Sequence, residues 1–356
     1  MSTDLITDQR VSKVCNSLMS NGYAVYLVGR QKKISQKMEA RDYECKRFKL
    51  WFNKGFLFYA NLNIRLFFFL LFNQANVLLA NDLDTLPANY LVSKLKAIPL
   101  VYDSHEYFTE VPELENRNRV KKVWERLESF ILPKLNYAYT VSQKIAVAYK
   151  VKYGTEFKLV RNFPIYQTQV IEDDHQNVIL YQGALNIGRG LEELIEAMRF
   201  VDSAKLWIVG AGDIEEALKQ KSKELGLENK IEFLGRMEPN QLKRITMKAK
   251  LGVSLEKQLG LNYAYALPNK IFDYIHAGTP VLYSSLEEVV STLKGHQVGE
   301  ELKSQEPKQL AQQLNQMLNS EIYDQWVSNC KNAAKLFNWQ KEEPTLLAIF
   351  DQALSN

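Results

Sequence analysis

An α/β protein of two doubly wound, parallel-sheet domains is what this sequence predicts, and three observations lead there. Short apolar runs alternate with amphipathic segments through nearly the whole chain, the pattern of strands joined by crossover helices. A length of 356 residues exceeds what one core usually fills. A polar, proline-containing stretch, NFPIYQTQVIEDDHQN at 162–177, separates two such series. The expected division is therefore residues 1–164 and 165–337, with a last helix over 338–356 packing back on the first domain.

The elements follow in order. A helix near 8–20 opens the first series, then strand YAVYLV (23–28), a basic and apolar excursion, strand NVLLA (76–80), helix 84–96, strand IPLVYD (98–103), helix 117–132, strand YAYTV (137–141), helix 142–152 and strand FKLVRN (157–162). The second series runs NVILYQ (177–182), helix 190–200, AKLWIV (204–209), helix 213–225, IEFLG (231–235), helix 239–248, LGVSL (251–255), a short helix within 266–278 and PVLYS (280–284). The first helix has no strand before it, whereas a doubly wound domain opens with one. Either a strand is lacking or DLIT (4–7) serves as a stub.

The short helix of the second series poses a question of charge. Ile271, Tyr274 and Ile275 share one face, Pro268 suits its first turn, and Gly278 with Pro280 suits its end. Its first turn carries Lys270, although a helix N-terminus already holds roughly half a positive charge and unpaired N–H groups. An anion opposite, such as a phosphate, would resolve the conflict. A solvated lysine would resolve it too.

The formal charge of +4 is too small to indicate nucleic acid, but it is unevenly spread. Residues 30–54 hold nine Lys or Arg against Glu39, Asp42 and Glu44, and the apolar run FLFYANLNIRLFFFLLF (56–72) follows. Asn61, Asn63 and Arg65 interrupt that run, which reads as a buried helix rather than a span; the alternative is attachment of residues 30–72 to an anionic membrane surface. Three scattered cysteines without metal spacing, and a polar N-terminus without an apolar leader, suit a reducing cytoplasm. A cytoplasmic location follows, at the inner face of the membrane if that attachment exists.

Ligands of open parallel sheets bind beyond the carboxyl ends of strands. Three turns of the second series have the right character there. YQGALNIGRGLEELIEA puts Gly183 after a strand and Arg189–Gly190 at a helix start, WIVGAGDIEEAL puts Gly210 and Gly212 between strand and helix, and the third turn carries Lys270. Glycine lets backbone approach a ligand, and two of the three bring a cation to a helix head. They converge on a diphosphate.

Through GALNIGRGLEELIEAM, LWIVGAGDIEEAL, IEFLGRM and LPNKIFDYIHAGTPVL, with TDQRVSKVCNSLMSNGYAVYLVGR and PLVYDSHEYFTEV in the first half, the chain resembles the retaining glycosyltransferases of family 4. The fold this implies is GT-B: two Rossmann-like domains facing across a cleft, the first taking the acceptor and the second the nucleotide-sugar donor. By position, the resemblance implies diphosphate contacts from Gly183, Arg189, Gly190, Asn269 and Lys270, nucleotide or ribose contacts from Gly210, Gly212 and Asp273, and catalytic roles for His105 and Glu106, with His105 a neutral imidazole near the transferred sugar. Two positions depart from the family pattern: Tyr265 stands at the first of its two acidic positions, as a donor-sugar contact, and Ala184 stands where an arginine is frequent.

The implied activity is transfer of a sugar, with retention, from a nucleotide-diphosphate sugar to a glycan or lipid-linked acceptor, in the synthesis of cell-surface polysaccharide or glycoconjugate. No cofactor or metal is implied. Asp82 and Asp84 form an Asp-x-Asp pair resembling a metal motif of another glycosyltransferase fold, but Asp84 reads better as the cap of helix 84–96 and Asp82 as a cleft-edge residue. The rival expectations are a nucleotide-sugar epimerase of the same fold and a non-catalytic partner subunit.

Overall fold

The computed structural model describes the chain except residues 3, 4, 6, 7, 33, 34, 36, 37, 39, 112, 113, 115, 116, 169–174 and 356. It divides into two compact units, Met1–Asn162 with Glu342–Asn356, and Phe163–Lys341. The polar boundary stretch thus begins at the division, and its residues 169–174 lie outside the described ones.

In the first unit, β1 (Tyr26–Gln31) pairs in parallel with β2 (Glu44–Lys49), and β3 (Leu78–Asn81), β4 (Leu100–Ser104), β5 (Tyr137–Thr140) and β6 (Lys158–Leu159) form a second parallel sheet in that order. β1 starts three residues later than the sequence suggested, because the helix Gln9–Ser20 ends in a wide cap that takes the N–H groups of Asn21, Gly22 and Tyr23. β2 was not foreseen; its ECKRFK alternates too weakly to read as a strand. The last helix, Trp339–Ser355, returns to this unit: Phe350 meets the ring of Tyr23 edge-on, and Tyr23 and Tyr137 donate to Asp351 and to the Gln352 carbonyl.

Among the described residues β1 and β3 do not pair with each other. A cavity of about 690 Å³ lies along their edges, lined also by Val11, Cys15, Phe69 and Phe350. The amino group of Met1 donates to the Val28 carbonyl at 2.7 Å. Of the DLIT stub only Leu5 is described, buried with Val11, Cys15 and Leu27.

The expected buried helix over the apolar run is a correction. The helix Gly55–Phe72 buries only Phe58, Asn61, Leu62 and Leu66, while Phe56, Leu57, Ile64, Phe68 and Phe72 are exposed. By length and composition it could cross a membrane. Its polar residues instead fasten it to the unit: Asn63 donates to the Asp84 carbonyl at 2.8 Å and accepts the Ala88 N–H at 3.1 Å, and Asn61 accepts the Trp51 N–H at 3.1 Å.

The second unit is one parallel six-stranded sheet: β7 (Gln176–Gln182), β8 (Lys205–Val209), β9 (Ile231–Gly235), β10 (Ala249–Ser254), β11 (Val281–Tyr283) and β12 (Gly299–Glu301) in the order β12-β11-β10-β7-β8-β9. The strands β7, β8 and β10 are buried on both faces, which is why they read as continuous apolar runs. β7 to β9 build outward in one direction and β10 to β12 in the other, so the order reverses between β7 and β10. β12 and the helices Glu287–Leu293, Pro307–Leu318 and Tyr323–Ala334 were not read from the sequence.

Candidate functional site

Where strand order reverses, the loops leaving two neighbouring strands part and open a crevice. In the second unit those loops follow Gln182 and Ser254, and each of these end residues holds a carboxylate. Gln182 Nε2 donates to Asp273 Oδ2 at 3.0 Å, and Ser254 Oγ donates to Glu256 Oε2 at 2.6 Å. Tyr274, fully buried, ties the two strands together below: its hydroxyl accepts the Gln182 N–H at 3.1 Å and lies 3.0 Å from the Leu180 carbonyl and 3.2 Å from that of Val253. Its ring covers Gly252, where a Cβ would stand 2.4 Å from the ring.

Lys270 lies in the first turn of the helix Asn269–Ala277, which runs from Pro268 to a left-handed Gly278 as expected. The side chain is only 9% exposed, with Nζ 2.9 Å from Glu256 Oε1 and 4.0 Å from the Tyr181 ring centre. Glu256 engages at most one of the ammonium's three donors, so the ammonium keeps donors to spare. Arg189 NH1 approaches the same Glu256 oxygen at 3.4 Å, and its buried Nε is without an acceptor among the described residues. Gly190 lets Arg189 reach that position: at φ +70°, a Cβ on it would stand 2.4 Å from the Leu255 carbonyl, so the loop after β7 runs against the one after β10. A nearly buried lysine and a partly buried arginine, both with donors to spare and each at a helix start, make a site for an anion. Burial opposes the ionisation of Glu256, but Lys270, the Ser254 hydroxyl and Arg189 outweigh it and hold its pKa below the usual range.

The other expected donor residues fall around this point to different degrees. Gly183, at φ +135°, faces Lys270, whose Cε would be 3.4 Å from a Cβ there. Gly210 packs on the Gly183 carbonyl and Gly212 on that of Leu185, contacts that require glycine with or without a ligand. Asp273 is half-buried and engaged with Gln182, Asn269 is exposed beside Lys270, and Tyr265 is half-buried at the end of the helix Gly260–Ala264.

In the first unit His105 follows β4 and joins three other charged side chains. Its Nε2 lies 2.9 Å from Asp103 Oδ2, its Nδ1 3.2 Å from Asp82 Oδ2, and its backbone N–H donates to Asp82 Oδ1 at 2.9 Å. Asp103, fully buried, is also gripped by Arg10, with Nε and NH2 at 3.0 and 2.8 Å, while Arg10 NH1 donates to the Val160 carbonyl. Both ring nitrogens of His105 therefore face carboxylates, and only the imidazolium can donate to both. Burial works against that charge, yet Asp82 and Asp103 overcome it and raise the pKa well above the ordinary value. The expectation of a neutral imidazole is thus corrected. Burial also opposes the Asp103 anion, but Arg10 and His105 prevail and bring its pKa down to about 2.

Asp82 sits at the end of β3 with φ +60°, a strained setting for a non-glycine residue, and its side chain is one-quarter exposed. Asp84 does not cap the following helix. Thr85 takes that place, with its hydroxyl on the Asn81 carbonyl at 2.7 Å. Asp84 is buried instead, and burial together with the Asp82 charge pushes its pKa up to about 6. The backbone carbonyl of Glu106 accepts the Ser104 hydroxyl at 2.8 Å.

Residues 163–336 match the family described as glycosyl transferases group 1. The second unit is a glycosyl transferases group 1 domain. An uncharacterised glycosyltransferase of Methanocaldococcus jannaschii is 27% identical over 191 residues, 52% of this chain and 47% of the relative, so the match spans about half of that curated protein. Among solved structures, a sucrose-phosphate synthase of Thermosynechococcus elongatus superposes with a TM-score of 0.80 at 15% identity, covering 97% of this chain and 92% of that one. Anabaena HepE, solved with UDP and glucose, superposes at 0.65 and 17% identity, covering 83% and 81%. At these identities the likeness is one of fold, and the fold is that of the GT-B glycosyltransferases, built of Rossmann-like units.

Sequence reasoning missed three members of these clusters. Within the group 1 domain it missed Glu256 and Gln182. The signal available was position alone, since Gln182 ends a buried strand and Glu256 follows one by two residues. In the first unit it missed Arg10, whose signal was an arginine beside Val11 and Val14 on the apolar face of the first helix.

Proposed function

We propose that the protein transfers a sugar, with retention, from a nucleotide-diphosphate sugar to a glycan or lipid-linked acceptor, in the making of cell-surface polysaccharide or glycoconjugate. The observation that carries this is the pair Lys270, nearly buried, and Arg189, partly buried, which meet with donors to spare at the strand-order reversal of a group 1 domain. Charge builds on the departing diphosphate as the sugar leaves, and fixed cations beside a helix start stabilise it without solvent reorganisation. That role needs no metal. Asp273 offers its carboxylate to the ribose, with Gly210 and Gly212 shaping the nucleotide's surroundings, and HepE's complex with UDP and glucose supports a nucleotide donor. In the first unit the His105 imidazolium holds Asp82 at the end of β3, where its carboxylate can orient a sugar hydroxyl. The exposed face of Gly55–Phe72, beside the basic β2 segment, docks the protein on an anionic membrane at the cytoplasmic side.

The test is calorimetry with UDP, other nucleoside diphosphates and their free nucleosides. Replacing Lys270 or Arg189 by Ala should weaken the matching diphosphate about tenfold to a hundredfold, the loss of one charge-assisted contact, and leave the nucleoside within a few fold. Binding should persist in EDTA. Equal weakening of nucleoside and diphosphate would refute the assignment, and turnover of the donor to an isomer without acceptor would favour the epimerase.

A further inference from the structure

Glu256 has no role in that reading, since a carboxylate carries the wrong charge to receive a diphosphate. Yet its side chain is 1% exposed, and the chain has built a setting for it. Ser254 fixes Oε2, which leaves Oε1 to both cations, Lys270 at 2.9 Å and Arg189 at 3.4 Å. A cation from the helix Asn269–Ala277 and one from the loop after β7 thus meet at a single oxygen at the end of β10. Two like charges brought this close repel each other, and Glu256 offsets that repulsion while no ligand is bound. The ammonium has three donors and Glu256 engages at most one of them, so an incoming anion adds to the ion pair and need not break it.

We propose that Glu256 is a positioning residue, a built-in counterion that sets Arg189 and Lys270 for the donor diphosphate and weakens their hold on the product so that it can leave. The inference rests on the diphosphate reading above. Its charge logic is simple: the two cations less one anion present a net +1 to the ligand, whereas without Glu256 they present +2. A weaker resting attraction speeds product release, a step that often limits turnover.

The probe is inorganic pyrophosphate, which depends on no base or sugar, measured by calorimetry on the full chain, with UDP dissociation followed by stopped flow. Glu256→Gln keeps the shape and the Ser254 hydrogen bond but removes the charge, and it should bind pyrophosphate about tenfold tighter and release UDP correspondingly more slowly. Glu256→Asp keeps the charge but draws it back by one methylene, and it should tighten binding only two- to threefold; this variant carries the test alone if Glu256→Gln does not fold. Weaker or unchanged binding in the folded variants, the outcome of a purely structural role, overturns the proposal. If neither the unmodified protein nor a folded variant binds pyrophosphate or UDP, the diphosphate reading itself falls and this inference with it.

Discussion

Asp84 carries an unfavourable charge. It is 6% exposed, its Oδ1 has no hydrogen-bond partner among the described residues, and burial and Asp82 raise its pKa from 3.8 to about 6. An acid with a raised folded pKa binds its proton more tightly in the native state, so its contribution to stability is present below the unfolded value and lost as pH rises through about 6. A two-unit shift corresponds to about 3 kcal/mol, the net of burial and the Asp82 charge against the opposing pull of Ser2, the Met1 amino group and His105. Asp84→Asn imitates the protonated form, so its melting temperature should exceed that of the unmodified protein at pH 8, with the gap closing toward pH 4. A lower melting temperature at pH 8 would show that the Asp84 charge is not unfavourable in the native state. Asp103 behaves oppositely: its pKa is depressed to about 2, so its contribution is present above 3.8 and lost only as pH falls through about 2.

At the scale of elements, the helix Gly55–Phe72 joins a run of exposed apolar side chains to the basic β2 segment. Leu57, Ile64, Phe68 and Phe72 recur along one side of the helix and stay exposed, with Trp51 and Phe56 near its start, while Lys46, Lys49 and Lys54 are exposed beside them. Arg65 stacks over Trp51 and Arg30 over Phe58, so aromatic and basic groups are interleaved. An apolar side flanked by cations suits the plane of a membrane interface, and the Asn63 bonds to Asp84 and Ala88 keep the helix on its unit and out of a spanning orientation. Vesicles containing anionic lipid should therefore sediment the protein at low salt and release it as salt rises. Each basic residue at such a surface contributes about 1 kcal/mol, so replacing Lys46, Lys49 and Lys54 together by Gln should cut partitioning by about two orders of magnitude. Partitioning that ignores salt and these lysines would remove the docking role. Neutral vesicles serve as the control.

For the whole molecule, what the sequence disclosed followed from local periodicity. The runs that became β4, β5, β7, β8 and β10 were legible because burial on both faces keeps them apolar, and Lys270 was legible because its helix was short and clearly bounded. β12 was hidden, a three-residue edge strand of sequence GEE with no apolar run to show it. The charge clusters were hidden because their partners are remote: Arg10 and Asp103 lie 93 positions apart, and Arg189 and Glu256 lie 67 apart. The same separation gives a test that spans the chain. If the donor's diphosphate is held by the group 1 domain alone, UDP should slow amide exchange in the loops at 183–190 and 254–257 and at the start of the helix Asn269–Ala277, since binding stabilises only the segments it touches. The Asp82–Glu106 region, assigned to the sugar and acceptor, should exchange at an unchanged rate with UDP and slow only when a UDP-sugar is supplied. Hydrogen–deuterium exchange read by mass spectrometry distinguishes the two patterns. Protection of the Asp82–Glu106 region by UDP itself would show that this charge cluster takes part in nucleotide binding, and the division of labour between the two units would have to be redrawn.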